Sequence, residues 1–377
     1  MQYLLVEPTA PGPFSWPDIS RGKVSQWLRG RFGGGGGLGE PKPPTATDQL
    51  APAQCHAVDP APPSPASAPK EVDPSLPCIF DEFELSEEQL GAGASSVVVR
   101  ARAKGGSGQQ QYAVKIITLD GHYSEADAAE EFALQQRLTH PRLATALAAY
   151  RGEPGKYYLL FELLEGGSLK DLPPLAAEAD VARIMAGVFG ALSILHREKL
   201  IHCDVKLENL ILQTPGDFSS VRLTDFGLCH DMRKGFWGTT ASGTPSYFAP
   251  ELARVFRRER GAVFGQHVDV WAAGVVLHQL LSGEMPFDGL HFKTLFQQID
   301  EQPVEMSSPA WAGVSEEAKD LVRRCLTRDF HARLSARDAA RHPWLRPYLD
   351  KRPSSMDTVR KFLGRISPML GSSPTRQ

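Results

Sequence analysis

Leu200-Ile201-His202-Cys203-Asp204-Val205-Lys206-Leu207-Glu208-Asn209, followed by Leu223-Thr224-Asp225-Phe226-Gly227, decides how this chain is read. The two segments bring two aspartates, an asparagine and a lysine within a short length of chain. One Asp can accept a hydroxyl proton, and an Asn with a second Asp can hold a divalent cation beside phosphate. A single loop carboxylate more often caps a turn. The whole constellation, in this order and spacing, points to phosphoryl transfer.

Working outward, the small-residue turn Gly91-Ala92-Gly93-Ala94-Ser95 precedes Ser96-Val97-Val98-Val99. A Gly-x-Gly turn between strands lets backbone amides approach phosphate oxygens with no Cβ in the way. Alone it is equally consistent with a plain β-turn. Lys115 stands in Ala113-Val114-Lys115-Ile116. Its apolar flanks bury the stem, so the ammonium needs a charged partner.

The runs Ser96–Val99, Tyr112–Ile117 and Tyr157–Phe161 are rich in β-branched and aromatic residues and are expected to be strands. Residues 126–138 carry Phe132, Leu134 and Leu138 at helical spacing. Beyond residue 168 the pattern turns helical, over 181–196, 268–281 and 315–325, the last capped by Ser315. The expectation is an α+β chain: a small strand-rich lobe with one helix, then a larger helical lobe. No internal repeat is visible.

Bulk properties narrow the function classes. The chain has 377 residues and a formal net charge of −3, which gives no support for nucleic-acid binding. Five scattered cysteines form no Cys-x-x-Cys pair, which argues against a disulfide framework or structural zinc. Leu4-Leu5-Val6 is too short for a signal peptide, Gln2 excludes N-myristoylation, and no apolar run approaches a membrane span. The expected setting is cytoplasmic, with the nucleus as a second compartment. Residues 1–79 hold 15 of the 30 prolines and a five-glycine run, Gly33 to Gly37. They are read as a disordered leader. Trp16, Trp27, Leu28 and Phe32 interleave there with Arg21, Lys23, Arg29 and Arg31, an arrangement that also suits docking.

These segments together resemble the eukaryotic protein kinases of the serine/threonine type, closest in pattern to the calcium/calmodulin-dependent group. The resemblance covers roughly residues 82–346. It implies a two-lobed kinase domain over 80–346, with the small lobe at 80–164 and the large lobe at 165–346, and a tail over 347–377. It implies MgATP as phosphoryl donor and protein hydroxyls as acceptors. Asp204 would be the base and Lys206 would neutralise the transferred phosphoryl group. Asn209 and Asp225 would hold Mg²⁺. Gly91, Ala92, Gly93, Ala94, Ser95, Val98, Ala113, Lys115, Phe161, Glu162 and Leu164 would surround the nucleotide. Glu131 would pair with Lys115, with Glu130 as the alternative. Thr244 would shape the substrate site, Glu251 would pair with Arg333, and Asp269 would brace the catalytic loop. Lys206 in its segment matches serine/threonine rather than tyrosine kinases.

Three positions depart from the family pattern. Ser96 replaces a third glycine. Gln135 stands where a buried aliphatic is usual, which implies either a shifted helix register or a loosely packed active helix. Cys203 replaces an arginine that reads phosphate on the activation segment, so activation by that contact is not expected. Thr239, Thr240, Ser242 and Thr244 are candidate phosphosites with a different readout. Glu208 is a family contact for a basic residue upstream of the acceptor, while Ser168 and Gln279 lack the charges of strongly basophilic relatives. In the tail, Val359, Phe362, Leu363 and Ile366 form a basic amphipathic helix pattern over 356–367, expected either to dock on the large lobe or to make a calmodulin or autoinhibitory contact. The alternative to an active enzyme is a pseudokinase-type scaffold. A small-molecule kinase is disfavoured by the Ala249-Pro250-Glu251 segment.

Overall fold

The computed structural model describes residues 72–349, except 94, 105–109, 121–122, 176 and 236. The leader up to residue 71 and the helix pattern of the tail therefore lie outside the described residues.

A five-stranded antiparallel sheet in the order β1-β2-β3-β5-β4 forms the small lobe. Its strands are β1 (Phe83–Ala92), β2 (Ser96–Ala103), β3 (Gln111–Thr118), β4 (Ala146–Arg151) and β5 (Lys156–Glu162). Alternation along the strands gives the sheet two apolar faces. Val99, Val114, Tyr150, Tyr158 and Leu160 pack on one side with Ile79 of the short helix α1 (Ile79–Glu82). Ile117, Tyr157 and Leu159 pack on the other against Ala128 of helix α2 (Glu125–Arg137). Helix α2 starts at a reciprocal cap: Ser124 Oγ accepts the Asp127 N–H, and Asp127 accepts the Ser124 N–H. The described residues begin at Val72, ahead of the domain start expected at residue 80, and Val72 and Ile79 are both buried.

The large lobe is built on two helices, α3 (Glu178–Arg197) and, further on, α5 (His267–Ser282). Each is apolar on nearly every side, the pattern of a helix surrounded by protein. Among the described residues α3 alone is long and apolar enough to cross a membrane, but 67% of its apolar window is buried in the lobe. Gly283 ends α5 at φ 75°, a left-handed conformation that glycine adopts without a Cβ penalty. Helix α4 (Pro250–Phe256) precedes α5, and α6 (Phe292–Glu301), α7 (Glu316–Cys325) and α8 (Ala336–Ala340) follow it. The cap expected at Ser315 forms: its hydroxyl accepts the Ala318 N–H and donates to Glu178 Oε1 at the start of α3. Short strand pairs carry the catalytic segments. β6 (Leu200–Ile201) pairs with β9 (His230–Asp231), and β7 (Leu210–Leu212) pairs with β8 (Val221–Leu223). Asp204 and Asp225 sit in the loops that these strands hold.

Candidate active site

The catalytic loop is held by one buried carboxylate. Asp269 on α5 is 1% exposed and accepts the backbone N–H groups of His202 and Cys203, each at 2.9 Å. His196 contacts the same carboxylate at 2.8 Å. The brace expected for Asp269 is thus in place. Cys203 takes φ 67° and Asp225 takes φ 61°, so both loops turn through left-handed backbone next to the chemistry.

Asp204 lies at the centre of a closed hydrogen-bond set. Its carboxylate accepts from the Thr244 hydroxyl at 2.8 Å, from Lys206 Nζ, and from Asn209 Nδ2 at 3.1 Å. Lys206 also donates to Thr244 Oγ1 at 3.0 Å. Gly243 permits the approach of Thr244: at φ 107°, a Cβ there would lie 2.3 Å from the Cys203 carbonyl oxygen. Asn209 gives its amide hydrogens to the Asp204 carbonyl and carboxylate, which leaves Oδ1 as the face suited to a cation.

Across the cleft, Lys115 Nζ bonds Glu131 Oε1 at 2.8 Å and Asp225 Oδ1 at 2.9 Å. This assigns the partner of Lys115 to Glu131. Glu130 pairs instead with Lys234 of the activation segment. Burial alone would depress the Lys115 ammonium, but Asp225 and Glu131 outweigh it and raise its pKa above the lysine norm. Lys115 in turn lowers the Asp225 carboxyl to about 2, so Asp225 is an anion at neutral pH. Its side chain is 49% exposed, with Oδ2 not taken by Lys115. Asp225 and Asn209 therefore offer two oxygens of the hard type that Mg²⁺ accepts alongside phosphate and water.

The nucleotide-side residues are brought together only in part. Gly91 and Ala92 end β1, and the Gly93 N–H donates to the Ser96 carbonyl at 2.7 Å, closing the turn. No Cβ contact would arise at Gly91, so the turn is open on that side. Ser95 follows, and its carbonyl accepts the Thr118 N–H. Ala94 lies outside the described residues. Val98 pairs with Lys115, and Ala113 with Phe161, which puts these residues in register across β2, β3 and β5. Glu162 bonds Arg222 Nη1 at 2.7 Å, so its carboxylate is committed away from a ligand and its contribution there is through the backbone. Leu164 is half-buried just after β5.

Sequence reasoning missed two partners. The Tyr123 hydroxyl donates to Glu131 Oε2 at 2.8 Å, so both oxygens of that carboxylate are held. Lys170 bonds Glu208 Oε1 at 2.9 Å. Burial opposes the shift, but Lys170 holds Glu208 below the usual carboxylate range. Lys170 comes from a stretch strapped to the catalytic loop by Ser168 Oγ, which donates to the Leu207 carbonyl.

Of the departures, Cys203 is buried, and burial, with Asp269 nearby, pushes its thiol well up. It offers no cation to a phosphate. Gln135 is 1% exposed, and among the described residues neither its Nε2 nor its Oε1 has a hydrogen-bond partner. The helix register is not shifted, because Glu131 meets Lys115. The helix instead carries a desolvated amide. Gln135→Met keeps the volume and removes the orphaned groups, so it should stabilise the protein by about 1–3 kcal/mol. A urea unfolding curve with a lower midpoint than the parent protein would contradict this.

Residues 85–345 match the protein kinase domain family. The chain belongs to the protein kinase family. Myosin light chain kinase A of Dictyostelium discoideum is 34% identical over 283 residues, covering 74% of this chain and 92% of that protein. Human calcium/calmodulin-dependent protein kinase type 1B is 38% identical over 300 residues, covering 78% and 81%. The serine/threonine-protein kinase H1 homolog of Danio rerio is 33% identical over 308 residues, covering 80% and 69%. This protein is a serine/threonine protein kinase similar in pattern to the calcium/calmodulin-dependent group, and its cofactors are ATP and Mg²⁺. The two-lobed α+β fold expected from the sequence is the fold observed.

Proposed function

We propose that this kinase transfers the γ-phosphoryl group of ATP to serine and threonine hydroxyls with Asp204 as proton acceptor. The carrying observation is that Asp204, Lys206, Thr244 and Asn209 form one bonded set facing the Lys115–Glu131–Asp225 set. The acceptor oxygen attacks the γ-phosphorus, its proton passes to Asp204, and the bond to the β–γ bridging oxygen breaks, leaving ADP with the electron pair. Lys206 offsets charge on the moving phosphoryl group, and Lys115 positions the donor phosphates. Asn209 and Asp225 would hold Mg²⁺, which when bound would supply charge neutralisation at the phosphates. No observation favours the pseudokinase-type scaffold.

On the acceptor side, Lys170 already engages one carboxylate oxygen of Glu208, and Ser168 and Gln279 are uncharged. The preferred substrates therefore lack a strong requirement for upstream arginine. A positional Ser/Thr/Tyr peptide library with MgATP tests both statements. Transfer to Ser and Thr with little upstream arginine selection supports them. Transfer to Tyr alone would overturn the hydroxyl class, and dominant arginine selection would overturn the reading of Lys170.

Regulation through the tail is the finer proposal. Residues 356–367 carry a basic amphipathic pattern, and one relative named above is a calcium/calmodulin-dependent protein kinase. A peptide covering 352–370 is expected to bind calmodulin only with calcium present. Absence of that binding would leave docking on the large lobe as the role of the tail. For the site of action we propose the cytoplasm, with the nucleus as second compartment. The described cysteines are all free thiols, which suits a reducing environment.

A further inference from the structure

The family match begins at residue 85, yet the described residues begin at Val72. The stretch between them is built into the small lobe. Strand β4 is an edge of the sheet, and this stretch covers that edge. The Arg151 N–H donates to the Pro77 carbonyl at 3.0 Å, Arg151 Nε donates to the Leu76 carbonyl at 2.8 Å, and Cys78 bridges to Arg151. Past the edge, Ile79 enters the outer apolar cluster at 0% exposure. The Tyr150 hydroxyl donates to Glu82 at 2.8 Å, and Lys104 Nζ donates to the Phe80 carbonyl at 2.7 Å. One end of the strap is thus fixed to the sheet.

The other end meets helix α2. Val72, 7% exposed, shares one apolar cluster with Ala128 of α2, and Leu76, Tyr123 and Phe132 pack on the same cluster. The Asp73 N–H donates to Glu125 Oε1 at 2.7 Å, in the first turn of α2. Tyr123, a member of this cluster, donates to the Glu131 oxygen that Lys115 does not use. A continuous path of packing and hydrogen bonds therefore runs from Val72 through Tyr123 to the Lys115–Glu131 pair.

We propose that residues 72–76 act as an intramolecular clamp that holds helix α2 where Glu131 meets Lys115. Val72 and Leu76 are positioning residues of the transfer reaction, acting through Tyr123 and Glu131. The clamp stands in a chain whose Cys203 cannot anchor an activation-segment phosphate. It ties catalytic competence to the end of the leader rather than to that phosphate. The proposal rests on the kinase reading of the site.

The test uses the full-length chain. Val72→Asp with Leu76→Asp is expected to lower kcat about tenfold at saturating MgATP, with the KM for peptide unchanged. Val72→Ile should retain activity. In a Glu131→Gln background the same strap substitutions should cost nothing further, because the path they act through is already cut. Amide hydrogen exchange over Glu125–Arg137 should quicken while exchange over Glu178–Arg197 stays the same. If the aspartates prevent folding, Val72→Ala with Leu76→Ala makes the same comparison. Unchanged kcat and unchanged exchange in α2 would overturn the clamp. So would an equal loss in the Glu131→Gln background, which marks general destabilisation. A parent protein without transfer activity would instead defeat the kinase reading, and the exchange measurement would still decide the clamp.

Discussion

Replacing Asp204 by Asn is expected to lower kcat by about 10²–10⁴-fold, the usual worth of a general base, while the KM for ATP stays close to the parent value. The split follows from geometry. Asp204 bonds Thr244, Lys206 and Asn209, groups on the acceptor side of the cleft. On the proposed reading the donor phosphates would be held from the side of Lys115 and Asp225, a pair that the substitution leaves alone. Asn cannot take the hydroxyl proton, and its amide hydrogens would face the Lys206 ammonium. A steady-state measurement over a range of ATP and peptide concentrations separates the two parameters. A loss confined to KM for ATP would mean that Asp204 serves nucleotide binding rather than proton transfer.

The second large effect concerns the fold. Arg333→Ala is expected to destabilise the protein by about 3–5 kcal/mol, because it strands a buried carboxylate. Arg333 Nη1 and Nη2 bond the two oxygens of Glu251 at 2.6 and 3.0 Å, and the arginine side chain is 0% exposed. The same guanidinium donates to the carbonyls of His267, Thr327 and Arg328 and lies 5.0 Å from the ring centroid of Trp271. One side chain thus ties α4, the start of α5 and the stretch before α8 together. Removing Glu251 as well should restore part of the loss, since the stranded charge goes with it. Denaturant unfolding of both single variants and the double variant tests this. Simple additivity of the two single losses would contradict the account.

Much of this was legible in the chain itself. The strands at Ser96–Ala103, Gln111–Thr118 and Lys156–Glu162 carry the β-branched and aromatic residues that announce them. Helices α3 and α5 announce themselves by apolar residues at helical spacing. The Asp204 and Asp225 segments could be placed because their chemistry is local in sequence. Strand β4 was not, because Ala146–Arg151 is rich in alanine, which has weak strand preference. Tertiary pairing with β5 supplies what the local sequence lacks. The choice between Glu130 and Glu131 was equally closed to inspection. The two are neighbours on α2, and only the sheet position of Lys115 and the activation-segment position of Lys234 separate them.

Composition misled at one place. The proline content of the leader suggested a chain unable to order itself up to residue 79. Val72, Leu76 and Ile79 nonetheless find apolar partners on the folded sheet and on α2. A short segment with too little apolar surface to fold alone can still order against a surface already built. The pairing of Lys170 with Glu208 was hidden for a related reason: the residues are far apart in sequence and meet only where the strap holding Ser168 crosses the catalytic loop.

The most direct measurement is transfer of labelled phosphate from MgATP to a Ser/Thr peptide by the full-length chain, after phosphatase treatment, with Asp225→Asn protein as control. The account predicts Mg²⁺-dependent label on Ser or Thr that vanishes in the control and survives the phosphatase, because Cys203 cannot read an activation-segment phosphate. Transfer at the same rate by the Asp225→Asn protein, or none by a folded parent chain, would contradict it.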